Sequence, residues 1–292
     1  MFSNTRKGII LAGGKGSRLW PITLGVSKQL LPLYNKPAIY YPLSTLMISD
    51  IREFLIITNQ QDINNFKALL GDGSHLGISI TYKIQKRPEG IAQALIIGEK
   101  FINDSPVALI LGDNFFYGHD LTKVLLKEAK KIFGATIFAS EVKDPERYGV
   151  VSFDKNLNVR SIFEKPKKPK SNFAITGLYF YDKNAVEYSK QLKFSKRGEL
   201  EITDLNNIYL QKRKLEVCLM GRATIWFDTG TFESLYEASS FIKSVENKQR
   251  FKIGCPEEIS WRKGWINEKQ LNKLALRYKN NSYGNYLKNL IE

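Results

Sequence analysis

The sequence predicts an α/β fold on a doubly wound, mostly parallel (mixed) sheet, with a β-rich insertion and a C-terminal helical region. Three observations predict it. The apolar runs Gly8-Ile9-Ile10-Leu11, Glu53 to Thr58 and Val107 to Leu111 have strand length and little polar alternation, as strands buried on both faces do. Stretches with apolar residues at helical spacing separate them, which is the pattern of βαβ crossovers. The first run also opens directly into Ala12-Gly13-Gly14-Lys15-Gly16-Ser17-Arg18, at the carboxyl end of a strand, where open α/β sheets bind ligands.

In chain order, residues 39 to 49 read as a helix and 53 to 58 as the next strand. Residues 62 to 70 form a helix stopped by Gly71-Asp72-Gly73, and Ile78 to Ile84 alternates as a strand. A helix over 91 to 101, the strand 107 to 111, a helix over 120 to 133 and a strand over 135 to 142 repeat the unit. Short strands then dominate, at 150 to 153, 159 to 164 and 173 to 181, broken by Lys165-Pro166-Lys167-Lys168-Pro169-Lys170. Thr203 is a plausible N-cap for a helix to about Lys212, and strands over 215 to 220 and 224 to 228 follow. Helices over 241 to 249, 257 to 262, 268 to 276 and 283 to 291 complete the chain. This divides it into a core of residues 1 to 240, with one half to about 142 and a second over 143 to 240, and a helical tail over 241 to 292.

With 292 residues and 43% hydrophobic content the chain can bury a sizeable core. No apolar run approaches the roughly 18 residues of a membrane span, and MFSNTRKG carries no signal-type apolar region, so a soluble cytosolic protein is expected. Cys218 and Cys255, like His75 and His119, are isolated, which argues for free thiols and against a metal site built on Cys or His. The net charge of +15 and pI near 9.6 raise the possibility of nucleic-acid binding. The basic residues are scattered, however, and no helix-turn-helix, zinc finger or RNP motif accompanies them, so no nucleic-acid partner is expected.

Glycines without Cβ let main-chain N–H groups approach an anion, and Lys15, Arg18 and Lys28 place positive charge on the same short segment. A polyphosphate suits that loop, although a solvated glycine turn is the plainer alternative. Two familiar phosphate motifs fail: Gly14-Lys15-Gly16 lacks the Ser or Thr of a P-loop, and Leu19 stands where a dinucleotide fingerprint needs Gly or Ala. Asp113, on the Gly112-Asp113-Asn114 turn after a strand, is a hard oxygen ligand suited to Mg²⁺, or else the carboxylate of an Asx turn. Asp228 likewise ends an apolar strand, and its alternative role is to cap the helix that follows.

Together, Leu11-Ala12-Gly13-Gly14-Lys15-Gly16-Ser17-Arg18-Leu19-Trp20-Pro21-Ile22-Thr23, Ser27-Lys28-Gln29-Leu30-Leu31-Pro32, the segment 36 to 47, Leu111 to Asn114, Asp144 to Val151, Gly198 to Asp204 and Trp226 to Thr231 resemble the sugar-1-phosphate nucleotidyltransferases. The similarity spans nearly the whole chain and is greatest to the thymidylyl-transferring branch. It implies the nucleotide-diphospho-sugar transferase type of fold. It also implies dTTP and glucose 1-phosphate as substrates, a Mg²⁺ cofactor held by Asp113 and Asp228, and no membrane partner. Arg18 would hold the β- and γ-phosphates and Lys28 the α-phosphate. Leu11, Gly13, Gly14, Lys15, Gly16, Ser17, Gln29, Gln85, Pro88 and Gly90 would build the nucleotide site. Glu164 would bind sugar hydroxyls and Lys165 the sugar phosphate, with Tyr148, Gly149, Thr176, Tyr179 and Trp226 around the ring. The tail would form a homo-oligomer interface, tetrameric in this family, and a site where a dTDP-sugar end product inhibits. Two departures stand out: Lys86-Arg87, where the family is small and polar, and Ser17 for the commoner Thr.

In such a reaction the attacking group is already a phosphate oxygen, so no protein nucleophile is needed, in keeping with the lack of a Ser-His-Asp or Cys-His set. A UTP-preferring relative and a catalytically silent sugar-nucleotide sensor are the alternatives. A sensor would more naturally have lost one of Arg18, Lys28, Asp113 or Asp228, and all four are present.

Overall fold

The computed structural model describes residues 6–156 and 158–292. From the amino terminus, β1 (Lys7–Ala12) leads through short turns and a hairpin of β2 (Pro32–Leu33) and β3 (Lys36–Pro37) to α1 (Tyr40–Ile48), β4 (Glu53–Thr58), α2 (Ile63–Leu70) and β5 (Ser79–Ile84). The helix pair α3 (Gln93–Ile97) and α4 (Glu99–Ile102) precedes β6 (Val107–Leu111), β7 (Asn114–Gly118), α5 (Leu121–Ala129) and β8 (Ala135–Glu141). Next come β9 (Gly149–Phe153), β10 (Val159–Glu164), β11 (Phe173–Tyr181), α6 (Ala185–Lys190), α7 (Ile202–Gln211), β12 (Leu215–Leu219) and β13 (Thr224–Asp228). The chain ends in α8 (Phe232–Gln249), α9 (Pro256–Arg262), α10 (Glu268–Arg277) and α11 (Ser282–Asn289).

The sheet is mixed, in the order β10-β9-β11-β6-β1-β4-β5, with β8 pairing β11 and β12 pairing β8. Its amino-terminal part is parallel: β1 lies between β4 and β6, with Gly8 opposite both Phe54 and Ala108, and β5 follows β4. Strand β11 is antiparallel to β6, β8 and β9, so the β-rich insertion is fused to the parallel block. Because side chains alternate along a strand, Ile9 faces one core with Leu55, Ile57 and Leu109, while Ile10 faces the other with Ile56, Ile110 and the α1 residues Leu43, Leu46 and Met47. Both faces are covered, which is why the three central strands read as continuous apolar runs.

Most expected elements appear within a residue or two, and four depart for identifiable reasons. The helix expected over 91 to 101 is broken at Gly98, where a Cβ would meet Ile9 Cδ1 at 2.7 Å. The helix expected to 133 ends at Ala129, where the buried Arg6 guanidinium donates to the free carbonyls of Ala129 and Lys131. Thr203 lies inside the first turn of α7 rather than at its cap, a place taken by extended Glu201. Finally, the helix expected from Phe241 begins at Phe232. Thr231 caps it in a reciprocal box with Ser234, the Ser234 N–H donating to Thr231 Oγ1 at 3.2 Å, so Asp228 is not spent on capping.

Candidate active site

The site forms where three chain reversals meet beyond the carboxyl ends of β1 and β6. Strand β13 pairs antiparallel with β7, and the register sets Asp228 opposite Asn114. Thr229 ties this pair to the central sheet, donating from both its N–H (3.0 Å) and its hydroxyl (2.8 Å) to the Asp113 carbonyl. The two carboxylates are thereby held side by side. Lys28 Nζ is ion-paired with Asp113, and Asn114 Nδ2 donates to Asp113 Oδ1 at 3.2 Å. Burial works against ionisation of Asp113, but the Lys28 ammonium and these hydrogen bonds outweigh it and hold the carboxyl below its ordinary range. Asp228 goes the other way: burial first, then the charge of Asp113, push it up to about 6.

A buried Asp113 and a half-buried Asp228 whose proton affinity it raises present neighbouring hard oxygen ligands, which fit a divalent cation. Among the described residues no group of three or more His, Cys, Asp or Glu side chains could hold a metal, so the protein offers Asp113 and Asp228 and leaves further positions to other oxygens. Arg18 belongs to the same place. Gly230 has no positive φ, yet a Cβ on it would meet Arg18 Nη2 at 2.6 Å and Asp228 Oδ1 at 3.0 Å. The guanidinium therefore lies directly over the Gly230 backbone, beside Asp228.

These residues border a cavity of about 280 Å³ that runs on to the insertion and is lined by Leu11, Gly14, Gln29, Tyr148, Gly149, Glu164, Lys165, Tyr179 and Trp226 among others. Glu164 Oε2 accepts from the Thr203 hydroxyl at 2.6 Å, and Oε1 lies 3.3 Å from Arg197 Nη1. Lys165 has φ 42°, a left-handed conformation costing about 1 to 3 kcal/mol in a residue with a side chain, of the kind that collects at functional sites. Trp226 packs edge-on against Tyr148, with ring centroids 5.1 Å apart, and donates Nε1–H to Asn114 Oδ1 at 2.6 Å. The Gly177 N–H donates to the same oxygen at 3.0 Å. Thr176 stands apart, since its hydroxyl donates into the core, to the Phe138 carbonyl.

A second cavity, lined by Lys15, Gln85 and Lys86, lies beyond the glycine loop, and Gly14 borders both. Gly13, Gly16, Ser17, Pro88 and Gly90 line neither cavity. Gly16 turns the loop at φ 63°. Gly90, at φ 107°, lies against the Leu200 backbone, where a Cβ would sit 2.3 Å from the carbonyl oxygen. Lys86 and Arg87 are exposed at the surface.

Sequence reasoning missed Arg197, Asn114 and Thr203, which all line the larger cavity. Arg197 is within 3.4 Å of Glu164, Glu199 and Glu201, a lone cation among three carboxylates. Its signal was present in Arg197-Gly198-Glu199-Leu200-Glu201, where local charge pairing alone would have marked it. The roles of Asn114 and Thr203 depend on partners 112 and 39 residues away, and no local pattern shows those.

A family model described as Nucleotidyl transferase matches residues 7–245. The glucose-1-phosphate thymidylyltransferase of Neisseria meningitidis serogroup A is 57% identical over 286 residues, covering 98% of this chain and 99% of the relative. That of Mycobacterium tuberculosis is 50% identical over 286 residues, again with 98% and 99% covered. Among solved structures, UDP-glucose pyrophosphorylase complexed with UDP-glucose superposes with a TM-score of 0.72 at 25% identity, covering 82% of this chain and 99% of that one.

Proposed function

We propose, because this chain belongs to the nucleotidyl transferase family and within it to the glucose-1-phosphate thymidylyltransferases, that its two adjoining cavities bring dTTP and α-D-glucose 1-phosphate together at the Asp113–Asp228 pair. The reaction gives dTDP-glucose and pyrophosphate. The observation that carries this assignment is the pair itself, joined through Thr229 and set between a basic glycine loop and a cavity with a carboxylate and a lysine at its far end.

The chemistry asks for alignment and charge neutralisation. The sugar phosphate oxygen must approach the α-phosphorus in line, against the repulsion of two anions. Lys165, with Arg197 close by, draws the sugar phosphate in, while Glu164 accepts from ring hydroxyls and is held for that by Thr203. Lys28 leaves Asp113 for the α-phosphate oxygens, where charge is greatest as the bond to the leaving group breaks. Arg18, over Gly230, takes the β- and γ-phosphates and follows the pyrophosphate as it leaves. Gln29 and Gln85 face the nucleoside. A divalent cation on Asp113 and Asp228, for which Mg²⁺ is the proposed ion, supplies Lewis acidity and a template for phosphate oxygens when bound.

Pyrophosphate release with glucose 1-phosphate and Mg²⁺, compared across dTTP, UTP, ATP, CTP and GTP, tests the assignment. Preference for dTTP is the expected result. Preference for UTP would move the base assignment, and no release with any nucleotide would overturn the catalytic one. Lys165→Ala is expected to raise KM for glucose 1-phosphate by about tenfold or more, the scale of a lost charged hydrogen bond, and to leave KM for dTTP close to wild type. A change confined to dTTP would refute the placement of Lys165.

The tail of residues 241 to 292 is proposed to carry homotetramer contacts and regulation by a dTDP-sugar end product. A cavity of about 280 Å³ between α1, β7 and α9, bordered by Tyr41, Phe115, Glu258 and Arg262, supports a ligand at that junction. Among the described residues no helix is long and apolar enough to cross a membrane.

A further inference from the structure

The amide of Gln85 has only one way to face, and two residues outside the proposed binding set decide which. Gln85 follows β5, is 4% exposed, and is fixed by its backbone N–H to the Thr58 carbonyl at 2.8 Å. Its Nε2 donates to Gln93 Oε1 at 2.6 Å. Gln93, the first residue of α3, donates from its own Nε2 to Glu89 Oε2 at 2.7 Å and accepts the Glu89 backbone N–H on Oε1 at 3.3 Å. The nitrogen and oxygen of an amide are told apart by their partners, and here the partners are unambiguous. A carboxylate only accepts and a backbone N–H only donates, so both ends of Glu89 force the oxygen of Gln93 toward Gln85. Gln85 must then meet it with its NH₂ group.

The carbonyl oxygen of Gln85 is therefore turned the other way, onto the glycine loop. A Cβ on Gly13 would lie 2.2 Å from Gln85 Oε1, and Gly13 has no positive φ. That position is glycine because this oxygen occupies the space. Among the described residues no group donates to Gln85 Oε1, and Gln85 borders the second cavity, where a ligand N–H can be its donor.

We propose that Glu89 and Gln93 are positioning residues for base selection: by fixing the polarity of Gln85 they present an acceptor to the nucleobase and favour pyrimidines protonated at N3. Thymine and uracil bring an N3–H to that oxygen. Cytosine brings a lone pair to the same point and is refused. This rests on the assignment of Gln85 to the nucleoside, which the test isolates.

The test compares kcat/KM for dTTP and dCTP at saturating glucose 1-phosphate. In Gln93→Leu the Gln85 amide is free to turn over, and the dTTP-over-dCTP preference is expected to fall by about tenfold or more, the scale on which a mispaired buried polar group discriminates. KM for glucose 1-phosphate should stay unchanged. Combining Glu89→Gln with Gln93→Glu swaps donor and acceptor within the relay but still gives Gln85 an acceptor, so it is expected to keep the preference. If Gln93→Leu loses activity toward both nucleotides with their ratio intact, the two residues are merely structural and the proposal fails. If Gln93→Leu does not fold, a swapped variant that folds and has lost the preference overturns it, and one that keeps it supports it. Gln85→Ala separates the two assignments. An unchanged ratio in Gln85→Ala overturns the base-facing role itself, whereas a collapsed ratio there with an intact one in Gln93→Leu overturns only the relay.

Discussion

Asp113→Asn is expected to lower kcat by about a hundredfold or more, the scale of one lost electrostatic contact at a reacting phosphate, while the fold stays intact. The fold should survive because the link to β13 uses the Asp113 backbone: Thr229 donates to the carbonyl oxygen, which the substitution retains. Removing the charge also relieves Asp228, whose carboxyl is pushed up by burial and then by Asp113. The check is turnover measured over a Mg²⁺ titration beside a thermal melt. Full activity in the variant would sink the metal assignment, and unfolding would show that the carboxylate is structural.

Glu246→Ala is expected to destabilise the protein by about 3 to 5 kcal/mol, the cost of leaving a buried charge without its partner. Glu246 pairs with Lys36 at 2.7 Å and Lys252 at 3.0 Å, and it also accepts from Asn35 Nδ2 at 2.8 Å and the Ile253 N–H at 2.9 Å. The side chains of Lys36 and Glu246 are only 2% and 3% exposed. Their proton affinities differ in a way the partners explain. Burial opposes charge on both, but Glu246 is surrounded by donors and ends below its ordinary range, whereas Lys36 has one carboxylate, is repelled by Lys252 and is also lowered. A depressed carboxylate contributes stability that is complete above its unfolded value and is lost as pH falls through the folded one. The cluster should therefore weaken in acid below the ordinary glutamate range. Urea unfolding of Glu246→Ala decides the matter, and a loss under about 1 kcal/mol would mean that the cluster does not clamp α8 to the core.

The central parallel strands β1, β4 and β6 were legible because they are buried on both faces and so read as unbroken apolar runs, and two of them, β1 and β6, empty into glycines at their carboxyl ends. The position of Asp228 at the end of a strand was legible from the apolar run Ile225-Trp226-Phe227 before it. What escaped was decided by contacts distant in sequence. Gly98 breaks a helix because Ile9 fills the space beside it, and Arg6 ends another from more than 120 residues away. Strand β7 was not foreseen, because its pairing with β13 crosses more than a hundred residues, and that pairing sets Asp228 opposite Asn114, next to Asp113. The polarity of Gln85 was hidden too, because letters name an amide and only its neighbours orient it.

Leu200 crosses between the two halves. Its N–H donates to the Glu89 carbonyl at 2.8 Å, its own carbonyl accepts from Ala92 at 3.3 Å, and Gly90 lies against it with no room for a side chain. Glu89 accepts from Gln93 in the proposed relay to Gln85, and three residues beyond Leu200 stands Thr203, whose hydroxyl donates to Glu164. In protein engineering, the loop over 86 to 92 is therefore not a portable cassette. Transplanting it from a homologue with another base preference would disturb acceptor-sugar tolerance unless residues 198 to 203 travel with it. Directed evolution toward new sugar 1-phosphate acceptors should accordingly recover compensating changes in both segments together.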